Sequence, residues 1–332
     1  MTSGPEVSVI IPTIVRDLES LDTAVTSALT QDPPPVEVIV VDDRVGQPAL
    51  VLGDDERVRV ILNAGPHGPA GARNCGVAAA RGELVAFLDD DDRWLPGKLA
   101  AQLAQLAAAD DPGCVVVGTR ARVLARTGTW LTPEELPDPS LSVVEDLFLQ
   151  PEVRRARSRG TWTSTMLAPR SMVLAVLFDT ELTNWEDVDW LVRMTDQGCT
   201  FVVCPEPLVE VRHDLGEAPS QSHRARADAS RSWADRVIAP RSRRAHHNFL
   251  LTYVVRLLVA EGRRAEAVRL GLRTASSRDV DVRPLVKFIS AVALTDRMTS
   301  RLANLSSGSF RGSSAGSARN RSVAQEDETS DA

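Results

Sequence analysis

No pair of cysteines in this chain has the spacing of a metal site or a redox couple: Cys75, Cys114, Cys199 and Cys204 form no C-x-x-C and show no zinc pattern. No signal-peptide pattern opens the sequence, so a reducing cytoplasm is the expected compartment. No apolar run approaches the roughly 20 residues that span a bilayer. The nearest, "PLVKFISAVAL", is too short and holds a lysine, so any membrane association is expected to be peripheral, at the inner face. The chain has no G-x-x-x-x-G-K-[ST] loop and no G-x-S-x-G, which leaves a P-loop ATPase and a nucleophile-elbow hydrolase unsupported. "GPHGPAG" is spaced G-x-x-G-x-x-G and follows a third strand, so it makes a poor dinucleotide fingerprint, and His67 within it reads as a loop residue. Aromatics are sparse at 4%, and the net charge of −7 disfavours nucleic acid as a partner. The arginines gather late, in "RVIAPRSRRAHH" and "EGRRAEAVRLGLR", so the acidic excess belongs to the first two thirds.

What the chain does have is ordinary globular material, 332 residues at 43% hydrophobic, enough for one large α/β domain with an appendage. "VSVII", "VEVIVV", "RVRVIL" and "LVAFL" read as strands, near-continuously apolar as strands covered on both faces should be. Between them lie a helix with Leu18, Leu21, Val25 and Leu29 on one face and an alanine-rich helix closed by Gly82. This alternation predicts a doubly wound, Rossmann-like, mostly parallel sheet, whose ligands gather at the carboxyl ends of its strands. Farther on, "CVVVGTRARVLA" reads as a strand, and "NWEDVDWLVRMTDQGCTFVVC" as a helix, a stop at Gly198 and a strand. "LVEVR" reads as another strand, and "NFLLTYVVRLLVAEGRRAEAVRLGL" as a helical hairpin turned at Gly262. The last stretch, rich in Ser, Gly and Arg, is expected to be disordered.

The densest signal is "AFLDDDDRW". Asp89, Asp90, Asp91 and Asp92 crowd like charge where a parallel strand ends, a cost that a hard divalent cation such as Mn²⁺ or Mg²⁺ would offset. A solvated acidic turn that caps the next helix explains these four residues equally well.

"NAGPHGPAGARNCGVAAARGELVAFLDDDDRW", preceded by "VSVIIPT" and "VEVIVVDD" and followed by "LFDTELTNWEDVDWLVRM" and "LVEVRHDLGEAPSQS", resembles the family 2 glycosyltransferases, inverting enzymes of GT-A fold. The resemblance implies that Pro12 and Thr13 line the nucleobase and ribose pocket and that Asp42 accepts a hydrogen bond from the base. It implies that Asp43 joins Asp42 or caps the turn, and that Arg73 faces the base or the diphosphate; the alternatives are a turn hydroxyl for Thr13 and a surface ion pair for Arg73. The family's D-x-D falls on Asp89, Asp90 and Asp91, with Asp91 as direct metal ligand, Asp89 beside it and Asp90 near the ribose. With aspartate at every place, the register is open by one residue, and Asp92 can stand for Asp91. The resemblance places the base at Asp187, with Glu186 beside it, whereas helix-dipole stabilisation alone accounts for both. For His213, ahead of a loop with Ser220 and Ser222, the resemblance implies a histidine that completes the metal set or touches the diphosphate; the alternative is a structural residue. Trp185 and Trp190 read either as an acceptor platform or as core.

The expected organisation is thus a GT-A catalytic domain over residues 1–217, a helical C-terminal region over 218–304 and a loose tail over 305–332. The expected activity is metal-assisted, inverting transfer from a nucleoside-diphosphate sugar, UDP-sugar favoured, to a hydroxyl of a glycan, lipid, metabolite or protein. Self-association through the C-terminal helices is a further expectation. A nucleotidyltransferase and a non-catalytic nucleotide-sugar-binding assembly partner are the rival readings. The first should carry a glycine-rich basic loop where this chain has "PTIVRD", and the second does not need Asp91 and Asp187.

Overall fold

The computed structural model describes residues 5–149, 160–213, 226–277 and 279–293. The expected tail and the loop carrying Ser220 and Ser222 lie outside the described residues. The first half alternates as its apolar periodicity demands: β1 (Val7–Thr13), α1 (Leu18–Leu29), β2 (Glu37–Asp42), β3 (Val58–Leu62), α2 (Pro69–Ala79) and β4 (Leu84–Phe87). A two-residue β5 (Arg93–Trp94) and α3 (Lys98–Ala108) follow the aspartates. Next come β6 (Val115–Ala125), β7 (Gly128–Thr132), α4 (Val143–Phe148), β8 (Leu167–Pro169), α5 (Arg170–Ala175), α6 (Glu186–Asp196) and β9 (Thr200–Arg212). The remainder is helical: α7 (Ala227–Val237), α8 (Arg243–Phe249), a π-helical stretch Leu250–Val254, α9 (Val255–Ala260), α10 (Arg264–Ala275) and α11 (Val282–Ala293).

The strands form one mixed sheet in the order β3-β2-β1-β4-β8-β6-β9-β5, with β7 on β6. Strands β1 to β4 run parallel, β8 is antiparallel to both β4 and β6, and β9 lies parallel to β6. Every residue of β1 and β2 is buried, because helices cover both faces. The sheet with its flanking helices is the GT-A arrangement, and the helices after β9 belong to the same compact unit, which runs to Ala293.

Local departures from the sequence reading have packing reasons. Helix α1 buries Leu21, Ala24, Val25 and Ala28, whereas Leu18, expected on that face, is 56% exposed. Asp17 caps this helix by accepting from the Glu19 and Ser20 amides, so Leu18 falls in the first, solvent-facing turn. Gly82 is not a helix stop, since α2 ends at Ala79. A Cβ there would lie 2.7 Å from the Glu6 carbonyl oxygen and the Ser8 nitrogen, so the glycine lets the chain cross β1 at contact distance. The segments "FVVC" and "LVEVR" are one strand, β9, whose register against β6 is irregular around Arg120. The expected stops at Gly198 and Gly262 do carry positive φ, 89° and 79°.

The two ends of the parallel strands differ in kind. At the amino ends, Ser8 and the Arg81 amide both donate to Glu37, which also pairs with Arg59. That end is closed on itself. The carboxyl ends hold the residues described next.

Candidate active site

Strand β1 delivers Thr13, β2 delivers Asp42 with Asp43 beyond it, and β4 leads into Asp89. The hydroxyl of Thr13 donates to Asp90 and accepts from the Val15 amide, so the first and fourth strands are tied across their carboxyl ends. Pro12 is buried within β1 beside Val41. Both oxygens of Asp42 accept from the Arg44 guanidinium at 2.8–2.9 Å, which holds its carboxyl below the usual range and commits it within the protein. Asp43 accepts from Asn63 (2.7 Å), from the Gly68 amide (2.7 Å) at the start of α2, and pairs with His67 (2.8 Å). These contacts tie the end of β2 to the turn that opens α2.

The four aspartates divide into distinct environments. Asp89 accepts from Arg73 at 2.7 Å, and its amide donates to the Ser164 hydroxyl at 3.1 Å. Asp92 is buried: the same Ser164 hydroxyl donates to one of its oxygens, and the Arg212 amide donates to the other at 3.1 Å. Desolvation, with the charges of Asp91 and Asp89, holds the Asp92 carboxyl well above its ordinary value. Asp92 is thus a cross-link, not an outward ligand. Asp91 alone of the four has an exposed side chain. Desolvation and the charges of Asp89 and Asp90 push its carboxyl up to about 7. The like-charge part of that shift is the part a cation beside the turn would reverse.

Ser164 was not anticipated. It lies in a 3₁₀ turn, Thr163–Thr165, ahead of β8, where "TST" signals a turn but not a partner for two aspartates far away in the chain. Its carbonyl also accepts from the Trp94 indole at 2.9 Å, and the Lys98 Nζ stands 3.8 Å from the Trp94 ring centre. The acidic turn therefore rests on a buried, fully connected floor.

Arg73, 3% exposed, is the centre of the site. Besides Asp89, its guanidinium lies 3.5 Å from Glu186 and over the Phe178 ring, 5.6 Å from its centre. Among the described residues its Nε and Nη1 nitrogens make no hydrogen bond, Nη1 standing in the longer ion pair with Glu186. A guanidinium with such donors is chemically able to bind a further anionic oxygen. Desolvation opposes its charge, but Asp89 and Glu186 outweigh it and raise its pKa.

Glu186 and Asp187 open α6 directly after Trp185, whose φ of 68° is left-handed. Desolvation and then the charge of Glu186 push the half-buried Asp187 carboxyl up to about 7, against the Val188 amide that it accepts from at 2.7 Å. A carboxylate poised near neutrality suits a general base. Neither tryptophan is an open platform. Trp190 is fully buried and stacked on Phe178 at 4.8 Å, and Trp185 is stacked on Trp233 at 5.5 Å.

His213 follows β9; its amide donates to Leu124 at 2.9 Å and its ring meets Trp162 edge-on at 5.6 Å. Among the described residues no three His, Cys, Asp or Glu side chains form a cluster fit to cage a metal, so Asp89, Asp91 and His213 are not brought together as one. No helix among the described residues is long and apolar enough to cross a membrane.

Comparison with known proteins gives the family. The family described as Glycosyl transferase family 2 matches residues 8–177. The chain is 44% identical over 102 residues to the succinoglycan biosynthesis protein ExoO of Rhizobium meliloti, covering 29% of each chain. It is 39% identical over 102 residues to the GalNAc(5)-diNAcBac-PP-undecaprenol beta-1,3-glucosyltransferase of Campylobacter jejuni, covering 29% of this chain and 33% of that one. It is 36% identical over 187 residues to the putative teichuronic acid biosynthesis glycosyltransferase TuaG of Bacillus subtilis, covering 49% of this chain and 72% of that one. The chain spans about a third of the length of the first two relatives.

Proposed function

Because the chain belongs to glycosyl transferase family 2, we propose that it moves a sugar from a nucleoside-diphosphate sugar to an acceptor hydroxyl in one inverting, cation-assisted step. The observation that carries this reading is Arg73: a buried guanidinium with two unmatched nitrogens, set between Asp89 and Glu186 at the carboxyl ends of the strands. A diphosphate supplies the acceptors those nitrogens lack.

A divalent cation fits the donor set, although the described residues form no all-protein cage. Mg²⁺ is typically held by one or two carboxylates plus substrate phosphates, keeping the rest of its shell for water. Asp91 offers an exposed carboxylate crowded by those of Asp89 and Asp90, and Asp89 is its natural second ligand. A bound Mn²⁺ or Mg²⁺ would stabilise the negative charge of the departing diphosphate. Asp90 is held by Thr13 on the ribose side, and Asp92 shapes the turn from beneath. Asp187 takes the proton of the acceptor hydroxyl, and Glu186 keeps Arg73 on the axis between donor and acceptor.

UDP-sugar is the favoured donor. The acceptor is proposed to be a bacterial cell-surface polysaccharide or its polyprenyl-diphosphate-linked precursor, because the Campylobacter relative is named for such a substrate. Peripheral contact with the membrane would then bring the site to its acceptor.

The test is a thermal-shift and donor-hydrolysis screen of the purified chain against UDP-, GDP- and dTDP-sugars, with Mn²⁺ and with chelator. The expected outcome is stabilisation by one nucleotide class that disappears with chelator. No stabilisation and no hydrolysis with any donor would overturn the reading and favour an assembly partner without turnover.

A further inference from the structure

We propose that the C-terminal helices act in the transfer reaction as a clamp: Trp233 and Ser230 on α7 hold Trp185 in its left-handed conformation and thereby fix where Glu186 and Asp187 stand. This rests on Asp187 being the base, and it concerns residues beyond the stretch that the family matches, which ends at residue 177.

Trp185 is the last residue before the two carboxylates and the N-cap of their helix, with φ 68° and ψ 13°. A bulky residue without glycine's freedom occupies that region only where its surroundings hold it there. No side-chain cap supports this helix end. What holds it is tertiary. The Trp185 indole stacks on Trp233 with ring centres 5.5 Å apart and planes 10° from parallel, and its Nε1 donates to the Ser230 hydroxyl at 3.1 Å. Phe249 and Tyr253 close on its edges at 4.9 and 5.0 Å.

The same helix grips α6 a second time, one turn on. The Trp233 indole donates to Asp189 at 3.1 Å, and the other Asp189 oxygen accepts from Arg193 at 2.7 Å. The Asp189 amide in turn donates to the Trp185 carbonyl at 2.7 Å, closing the first turn of α6. Trp233 therefore touches the residues on either side of the Glu186–Asp187 pair, through a ring face before it and an indole N–H after it. If the clamp is released, the peptide at Trp185 is free to leave the left-handed region. The two carboxylates would then swing relative to Arg73, which stands on α2 and is held from its other side by Asp89. Trp233, Ser230 and Trp185 are positioning residues; none is assigned contact with substrate.

The experiment compares the full chain with Trp233→Phe, Ser230→Ala and Trp233→Ala, and with Phe288→Ala as a control that loosens the α10–α11 contact at Gly271. Two readouts are taken: transfer kinetics with the donor found by the nucleotide screen, and amide hydrogen exchange over residues 186–189. Trp233→Ala is expected to lower kcat at least tenfold with donor KM within about twofold of the parent, and Trp233→Phe and Ser230→Ala to lie between. Exchange at 186–189 should rise in the same order. Phe288→Ala should leave kcat and that exchange near the parent values even where its Tm falls as far. An equal loss of kcat in Phe288→Ala, or unchanged kcat with raised exchange at 186–189, would overturn the clamp. If the parent itself transfers nothing, the functional reading has failed and exchange alone decides: protection at 186–189 lost only in the Trp233 and Ser230 variants retains the clamp, and unchanged protection removes it.

Discussion

Arg73 Nη1 lies 3.5 Å from Glu186 Oε1 while the other terminal nitrogen of the same guanidinium is held by Asp89 at 2.7 Å. One buried cation therefore joins the acidic turn after β4 to the start of α6. Lysine, a point charge without a planar fork, cannot serve both carboxylates and a diphosphate at once. Arg73→Lys should weaken donor binding at least tenfold by calorimetry. Arg73→Ala strands two carboxylates in a partly buried site and should in addition cost about 3–5 kcal/mol in chemical denaturation.

Asp91 and Asp92 are neighbours with opposite expected phenotypes. Asp91→Ala removes an exposed, crowded carboxylate, so the apo Tm should hold or rise while the Mn²⁺-dependent stabilisation by donor is lost. Asp92→Ala strands the Ser164 hydroxyl and the Arg212 amide, a loss of about 1–3 kcal/mol that thermal unfolding should register without any ligand. Equal donor-linked shifts in Asp91→Ala and the parent would move the metal ligand elsewhere.

The pH dependence follows from Asp187. Its carboxyl is raised from 3.8 to about 7, so the folded state binds its proton more tightly than the unfolded state does. Its contribution to stability is complete below about pH 4 and is lost as pH rises through about 7. Denaturation of the metal-free chain should show that decline, and Asp187→Asn should flatten its share of it. Turnover has the opposite sign: kcat should climb through about pH 7 as the base loses its proton, and Asp187→Asn should lose transfer while still binding donor.

A fourth expectation concerns the loop that Asp43 caps. A Cβ on Gly71 would stand 1.9 Å from the Pro66 carbonyl oxygen, a backbone atom that cannot rotate away. Gly71→Ala should therefore destabilise by about 1–3 kcal/mol or more and displace the His67–Gly68 turn, read as a lower Tm and weaker donor binding.

The parallel half of the sheet was legible because its strands are apolar on both faces and its breaks are glycine and proline. The placement of Asp89 to Asp92 at a carboxyl end followed from that pattern. Division of labour among the four was not legible, because identical residues in a row differ only by what reaches them: Thr13, Ser164, Arg212 and Arg73 come from distant segments. Asp42 could not be distinguished from a free carboxylate for the same reason, since an aspartate two residues before an arginine does not announce a bidentate pair. Trp185 and Trp190 left core and surface undecided; their spacing gives no hint that the partners are Trp233 and Phe178.

The acidic turn has one more property, set by what flanks it. Before it, β4 is laddered to β1; after it, β5 is laddered to β9, with Arg93 opposite Glu210 and Trp94 opposite Val209. The few residues between are spliced into two separate ladders and bolted to Ser164 on the way. Surface loops elsewhere absorb insertions at little cost, but here an extra residue has no slack to occupy and would rotate every following side chain of β5 to the wrong face. Length is thus constrained here as strictly as composition. Among descendants of the chain, insertions and deletions should be as rare in this stretch as replacements of its aspartates.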